Sequence, residues 1–206
     1  MNINNSMVHI KIIRHAERLD HTDPLRWFFY FGYFWFDSPL TDNGHRAARE
    51  KGREIMSAEF QPKYIYTSPY RRTISTATEI QRSFPSAEIS IMPLLSENQS
   101  YWQHCTAFFP LGIPTTYESL ETQFAFPETY TSFITRCEFI LEKILQKKCD
   151  VIIITHSELI KGFLTYIQNK HPDIILEPKN ISYLSTLSFD YDPVAETIIE
   201  SSVKLV

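Results

Sequence analysis

The chain has 206 residues, 43% of them hydrophobic and 21% charged, with a formal net charge of −4. That apolar content excludes a disordered chain and suffices for one domain, residues 1–206, with a substantial core. The weakly acidic balance offers no basic face, so nucleic acid is not an expected partner. No segment has the ~20 consecutive apolar residues of a membrane span. Met1–Ser6 is polar and lacks the apolar run of a signal peptide, so a cytoplasmic location is expected. Cys105, Cys137 and Cys149 are odd in number and form no C-x-x-C, which argues against a disulfide framework or a zinc site.

The first predicted element is the strand "VHIKIIR", Val8 to Arg14, rich in β-branched residues. After a long irregular stretch, a helix is predicted from about Thr41 to Met56. Its small residues Ala47, Ala48 and Gly52 would let it lie close to a sheet. "KYIYTS", Lys63 to Ser68, reads as a second strand. The next helix should start with Ser68 as N-cap and Pro69 in the first turn. Glu88 to Met92 is a third strand, and prolines mark the region from Pro93 to about Glu128 as loop-rich. From Thr129 to Lys147 the apolar residues recur at helical spacing, with Cys137 on the buried stripe. "DVIIIT", Asp150 to Thr155, is a continuous apolar run, as in a parallel strand covered on both faces. "SELIKGFLTYIQ" is helical. Two further strands, about 181–190 and 196–205, complete the chain. Strands alternating with helices make this an α/β protein with a mostly parallel sheet covered by helices.

Ligands in such sheets bind beyond the carboxyl ends of the strands. The first strand ends in Arg14, His15, Glu17 and Arg18. The second leads to Arg71 and Arg72, and the central one to Thr155, His156 and Ser157. Glu97 follows the third. Arginine forks match phosphate oxygens and stay charged at every working pH, and a helix N-terminus adds N–H donors for an anion. A histidine with one ring nitrogen free and the other held can act as a nucleophile. A carboxylic acid can protonate a leaving alcohol. Together these parts suit phosphoryl transfer through a phosphohistidine. No acidic cluster for Mg²⁺ accompanies them, so the arginines would neutralise the phosphate, and neither metal nor cofactor is expected.

The motifs resemble those of the histidine phosphatase (phosphoglycerate mutase-like) superfamily, branch 1, over almost the whole chain. "RHAE", Arg14 to Glu17, corresponds to the family's R-H-G-E. "DSPLTDNG", Asp37 to Gly44, corresponds to D-x-P-L-T-x-x-G, and "SPYRRTISTA", Ser68 to Ala77, aligns Arg72 with the second pocket arginine. The resemblance implies a three-layer αβα sandwich whose mostly parallel central sheet carries an antiparallel C-terminal strand pair. By the same carry-over, His15 is the phosphorylated nucleophile. Arg14, Arg72 and His156 complete the phosphate pocket, Glu97 is the proton donor, and Arg71 lies at the rim or in solvent. Ala16 and Ser157 depart from the family, which has glycine at the first position and often at the second. Neither substitution removes a reacting group.

"RHAERLD" lacks the Ser/Thr-x-W-N element of the mutases and resembles the R-H-G-E-R-x-D of the Sts / ecdysteroid-phosphate phosphatase group. That likeness adds Arg18 to the pocket, matches Trp102 in "LLSENQSYW", and accounts for an insert at about 18–37. It implies a phosphomonoesterase acting on an aryl or apolar-alcohol phosphate, or on a phosphotyrosine-like phosphopeptide. A mutase-type phosphotransferase is the alternative within the same chemistry. A phosphate-recognising scaffold with little turnover is the alternative outside it.

The insert contains "RWFFYFGYFWFD", Arg26 to Asp37. It is half the length of a membrane span and has no cationic face to hold it on a bilayer. It could pack as core, serve as a homodimer contact, or form a lid over the site together with the 93–128 region. On the last reading Trp27, Phe36 and Trp102 wall an apolar leaving group. Among the other histidines only His21 lies close to the pocket in sequence; His9, His45, His104 and His171 are expected to be structural or exposed.

Overall fold

The computed structural model describes residues 7–31, 37–97, 116–117, 128–178 and 180–206. Strand β1 (Val8–Arg14) leads to two short helices, α1 (Leu19–Thr22) and α2 (Pro24–Phe31). These are followed by α3 (Asp42–Glu54), β2 (Tyr64–Thr67), α4 (Arg71–Gln81) and β3 (Glu88–Ile91). After a 3-10 turn at Pro93–Leu95 come β4 (Thr116–Tyr117), α5 (Tyr130–Leu145), β5 (Val151–Thr155), α6 (Ser157–Lys170), β6 (Thr186–Asp192) and β7 (Thr197–Leu205).

The strands form one sheet in the order β4-β3-β2-β5-β1-β6-β7. Pairings from β4 to β1 are parallel, and β6 runs antiparallel to both β1 and β7. Helices cover both faces, which is the expected α/β layering. On one side Val8, Ile10 and Ile12 of β1 join the apolar stripes of α5 and α6. On the other, Ile13, Ile65, Ile152 and Ile154 meet Ala77 and Ile80 of α4. Every residue of β5 is buried, because both of its faces are covered. Cys137 lies in the α5–α6 interface, where burial pushes its thiol up to about 12. A Cβ at Gly162 would fall 2.6 Å from Cys137 Sγ, so only glycine there lets α5 and α6 close. No helix among the described residues is long and apolar enough to cross a membrane.

Four expectations need correction. The stretch after β1, expected to be irregular, carries α1 and α2. Helix α4 begins at Arg71 rather than at Pro69. Tyr70 is its extended N-cap, and the Ser68 hydroxyl is 2.9 Å from His156 Nε2 instead of on the helix. Strand β6 begins at Thr186, not near 181. Leu184 takes φ 62°, so residues 181–185 turn around the end of β1 before the strand starts. The small residues of α3 face neighbours other than a strand. Gly52 meets Ile80 and Ser83 at the end of α4, and Ala48 packs with Ala16 and Leu40.

Candidate active site

Register brings the two histidines together. Arg14 pairs with Thr155 at the last step of the β1–β5 ladder, and the His15 N–H donates to Thr155 O at 2.9 Å. His15 and His156 therefore leave the sheet side by side, with ring centroids 5.3 Å apart. Both are buried, at 1% and 0% exposure.

The His15 ring is oriented by its own loop. Ala16 O lies 2.8 Å from Nδ1. A carbonyl can only accept, so Nδ1 carries the proton and Nε2 keeps its lone pair. Burial first, and then the Arg72 charge, hold the imidazole well below its ordinary pKa, so it is neutral at neutral pH. The Ala16 N–H donates to Thr76 Oγ1 at 3.0 Å, and that hydroxyl donates to Arg72 O at 2.7 Å. One threonine thus ties the loop after His15 to the first turn of α4. Neither Ala16 nor Ser157 has a positive φ, so the glycines usual in the family are not required here. Ser157 simply opens α6, with His156 as the N-cap.

Arg72 is 1% exposed. Its Nη2 donates to Glu97 Oε2 at 2.9 Å and faces His156 Nδ1 at 3.4 Å. A guanidinium cannot accept, so His156 Nδ1 accepts and Nε2–H donates to Ser68 Oγ. His156 too is held well below its ordinary pKa, first by burial and then by Arg72. The Tyr70 ring lies under Arg72, 4.2 Å from the guanidinium carbon. Tyr183 does the same for Arg14 at 4.4 Å. Arg14 Nη1 donates to Ile181 O at 2.6 Å, and Arg14 Nε is buried without a partner among the described residues. Each arginine is therefore backed by an aromatic face, with its fork aimed by the surrounding chain.

The remaining expected residues are more dispersed. Arg18 borders the site, and its charge helps depress both histidines. Its fork is engaged by Asp20, at 3.0 and 2.5 Å. Glu17 turns away and accepts from Thr41 Oγ1 at 2.6 Å. Thr41 in turn caps α3 through the Gly44 N–H. A Cβ at Gly44 would sit 2.6 Å from Glu17 O, which explains the glycine of "DSPLTDNG". Arg71 is half-buried, and its backbone N–H donates to buried Asp37 at 2.7 Å. That donor of the α4 N-terminus is thus taken by a carboxylate rather than left for an anion. Trp27 is turned inward at 9% exposure, while Phe28 and Phe29 stand out at 57% and 78%. Phe36, Trp102, Cys105 and His104 lie outside the described residues. His21 Nδ1 meets Tyr183 OH at 2.8 Å, which places α1 at the rim of the pocket. His9, His45 and His171 pair with Asp190, Glu79 and Glu200, away from the site.

Sequence reasoning missed Ser68, Tyr70, Thr76 and Tyr183. Ser68, Tyr70 and Thr76 lie within the quoted "SPYRRTISTA" segment. Tyr183 carried no local signal, because its stretch reads as strand.

The family description "Histidine phosphatase superfamily (branch 1)" matches residues 10–201. A phosphoglycerate mutase family protein of Acanthamoeba polyphaga mimivirus is 48% identical over 200 residues, covering 97% of this chain and 98% of that protein. The ecdysone phosphate phosphatase of Bombyx mori, solved with tungstate, superposes with a TM-score of 0.66 at 18% identity, over 97% of this chain and 92% of that one. A phosphoglycerate mutase from Bacillus anthracis gives 0.64 at 15% identity, over 98% and 94%. At these identities the two structural likenesses concern the fold. The family match spans β1 to β7 and contains both histidines, the three arginines and Glu97, so the chain belongs to the histidine phosphatase superfamily, branch 1.

Proposed function

We propose that the protein is a phosphomonoesterase that works through phospho-His15. One observation carries this reading: His15 is buried and neutral, and its Nδ1 is spent on Ala16 O, so Nε2 is the free nucleophile beside Arg14, Arg72 and His156. Nε2 attacks phosphorus, and the P–O bond to the leaving group breaks as Glu97 delivers a proton to the departing oxygen. Water, giving its proton back to Glu97, then attacks phosphorus. The P–N bond breaks and inorganic phosphate leaves. The arginine forks supply positive charge to the equatorial oxygens in both steps, which removes the need for a metal. A bound dianion also opposes the repulsion that depresses His156, favouring a second donor to phosphate.

The exposed aromatic rings of α2 support an aryl or apolar-alcohol phosphate, or a phosphotyrosine-like group, as substrate. His15→Ala should abolish turnover of p-nitrophenyl phosphate and the acid-labile phosphoenzyme seen after rapid quench. Turnover near the wild-type rate in that variant would sink the scheme. A mutase-type phosphotransferase uses the same first half-reaction. Discharge of the labelled phosphoenzyme by a phosphorylated acceptor, and not by water, would favour it. Phosphate binding without any turnover would instead mark a recognition protein.

A further inference from the structure

Glu97 sits on a loop, and the loop is held from behind. The 3-10 turn ends at Ser96, whose backbone is extended. Below it lies Arg136 of α5, 2% exposed. Nη1 of Arg136 donates to Leu94 O and to Ser96 O at 3.0 Å. Nη2 reaches Glu97 O at 3.5 Å. The other edge of the guanidinium grips Glu128, with Nε to Oε2 at 3.0 Å and Nη2 to Oε1 at 2.5 Å. A guanidinium has five N–H donors, and these contacts account for all of them. Three carbonyl oxygens crowded toward one buried spot would repel one another without a cation between them.

We propose that Arg136, anchored by Glu128, is a positioning residue for the general acid: it fixes the loop backbone so that the Glu97 carboxylate stands over Arg72 and His156. Its guanidinium contacts the loop backbone and the Glu128 carboxylate, away from the reacting groups. A lysine could not replace it, because one ammonium lacks the fork that spans the carbonyls and the carboxylate. The arrangement is braced from the sheet side as well, where Thr155 Oγ1 donates to Leu95 O at 3.0 Å. Thr155 immediately precedes His156, so the acid and the second histidine are set from a common point.

The inference rests on the proposed role of Glu97, and its test separates the two. Steady-state kinetics would be measured on 2,4-dinitrophenyl, 4-nitrophenyl, phenyl and alkyl phosphates for wild type, Glu97→Gln, Arg136→Met and the double variant. Loss of a general acid costs about 100-fold or more with poor leaving groups and little with activated ones. Arg136→Met should show the same slope in kcat, and should add nothing once Glu97 is already Gln. Glu128→Gln is a milder second variant that keeps the packing, with thermal melts confirming that each variant is folded; it should show a shallower version of the same trend. A steep Glu97→Gln series beside a flat or fully additive Arg136→Met series overturns the positioning role alone. A flat Glu97→Gln series removes Glu97 as the acid, and the proposal falls with it.

Discussion

The histidine–arginine pocket and the α1–α2 segment, whose α1 borders it, are built in opposite ways. In the pocket, His15, His156 and Arg72 are at most 1% exposed, and their orienting contacts come from several elements of the fold. In α2, Leu25, Phe28 and Phe29 present large apolar surfaces to solvent. A buried polar group must be partnered or it destabilises the fold, so the geometry of the pocket is over-determined. An exposed ring carries no such requirement and is free to be selected for what it touches. On the proposed function, the contrast leads us to expect the chemistry in the pocket and substrate preference at the rim.

The largest effect that would test this contrast is at Arg72. Arg72→Met should lower kcat/KM for p-nitrophenyl phosphate by about 10²–10³-fold, the scale of losing one preorganised charge donor. Phosphate inhibition should weaken in parallel, and Arg72→Lys should recover little of either. A loss no larger than that of a rim substitution would erase the distinction.

The second test is protonation. His15 and His156 are both held well below the ordinary value of 6.5. As pH falls below that value, the unfolded chain takes up protons that the folded pocket refuses. The free energy of unfolding therefore drops with acidification, by up to about 1.4 kcal/mol per pH unit for each histidine. Urea midpoints measured between pH 7.5 and 5 should show this slope, and His15→Asn should reduce it. An unchanged slope would mean that His15 is not buried neutral.

The smallest effect belongs to the rim. Phe28→Ser and Phe29→Ser together should leave stability within about 0.5 kcal/mol of wild type. The same pair should raise KM for naphthyl phosphate about fivefold, the loss of roughly one partial ring contact, and leave glycerol phosphate unaffected. Equal shifts for both substrates would reduce α2 to a packing element.

Legibility in the sequence follows the range of the interactions involved. β1, β5 and α5 lie within one or two residues of their predicted ends, because apolar periodicity is a local signal and their burial obeys it. The start of α4 was misread because the Ser68 hydroxyl serves His156, a partner 88 residues away. Residues 181–185 look like strand, yet they wrap Arg14, with Arg14 N bonded to Ser185 O and Leu184 N to Arg14 O. Tyr183 owes its place to that wrap. In α2 every ring looks alike in sequence, so nothing there distinguishes buried Trp27 from exposed Phe28 and Phe29. The candidate site residues were legible because each lies at or shortly after the end of a predicted strand. The roles of the groups that aim them were not, because their partners are distant in the chain, as His156 is from Ser68 and Ala16 from Thr76.

Arg136 joins the backbone at Glu97 to the carboxylate of Glu128. Two points of the chain, one on either side of β4, are therefore stapled by one side chain. Loop closure becomes costlier only slowly with length, by about 0.6 kcal/mol per doubling. A change of length between those points should therefore leave the backbone at Glu97 held by Arg136. The staple works as a socket: the alignment of Glu97, the proposed acid, is set by Arg136 and not by what the chain carries between the two points.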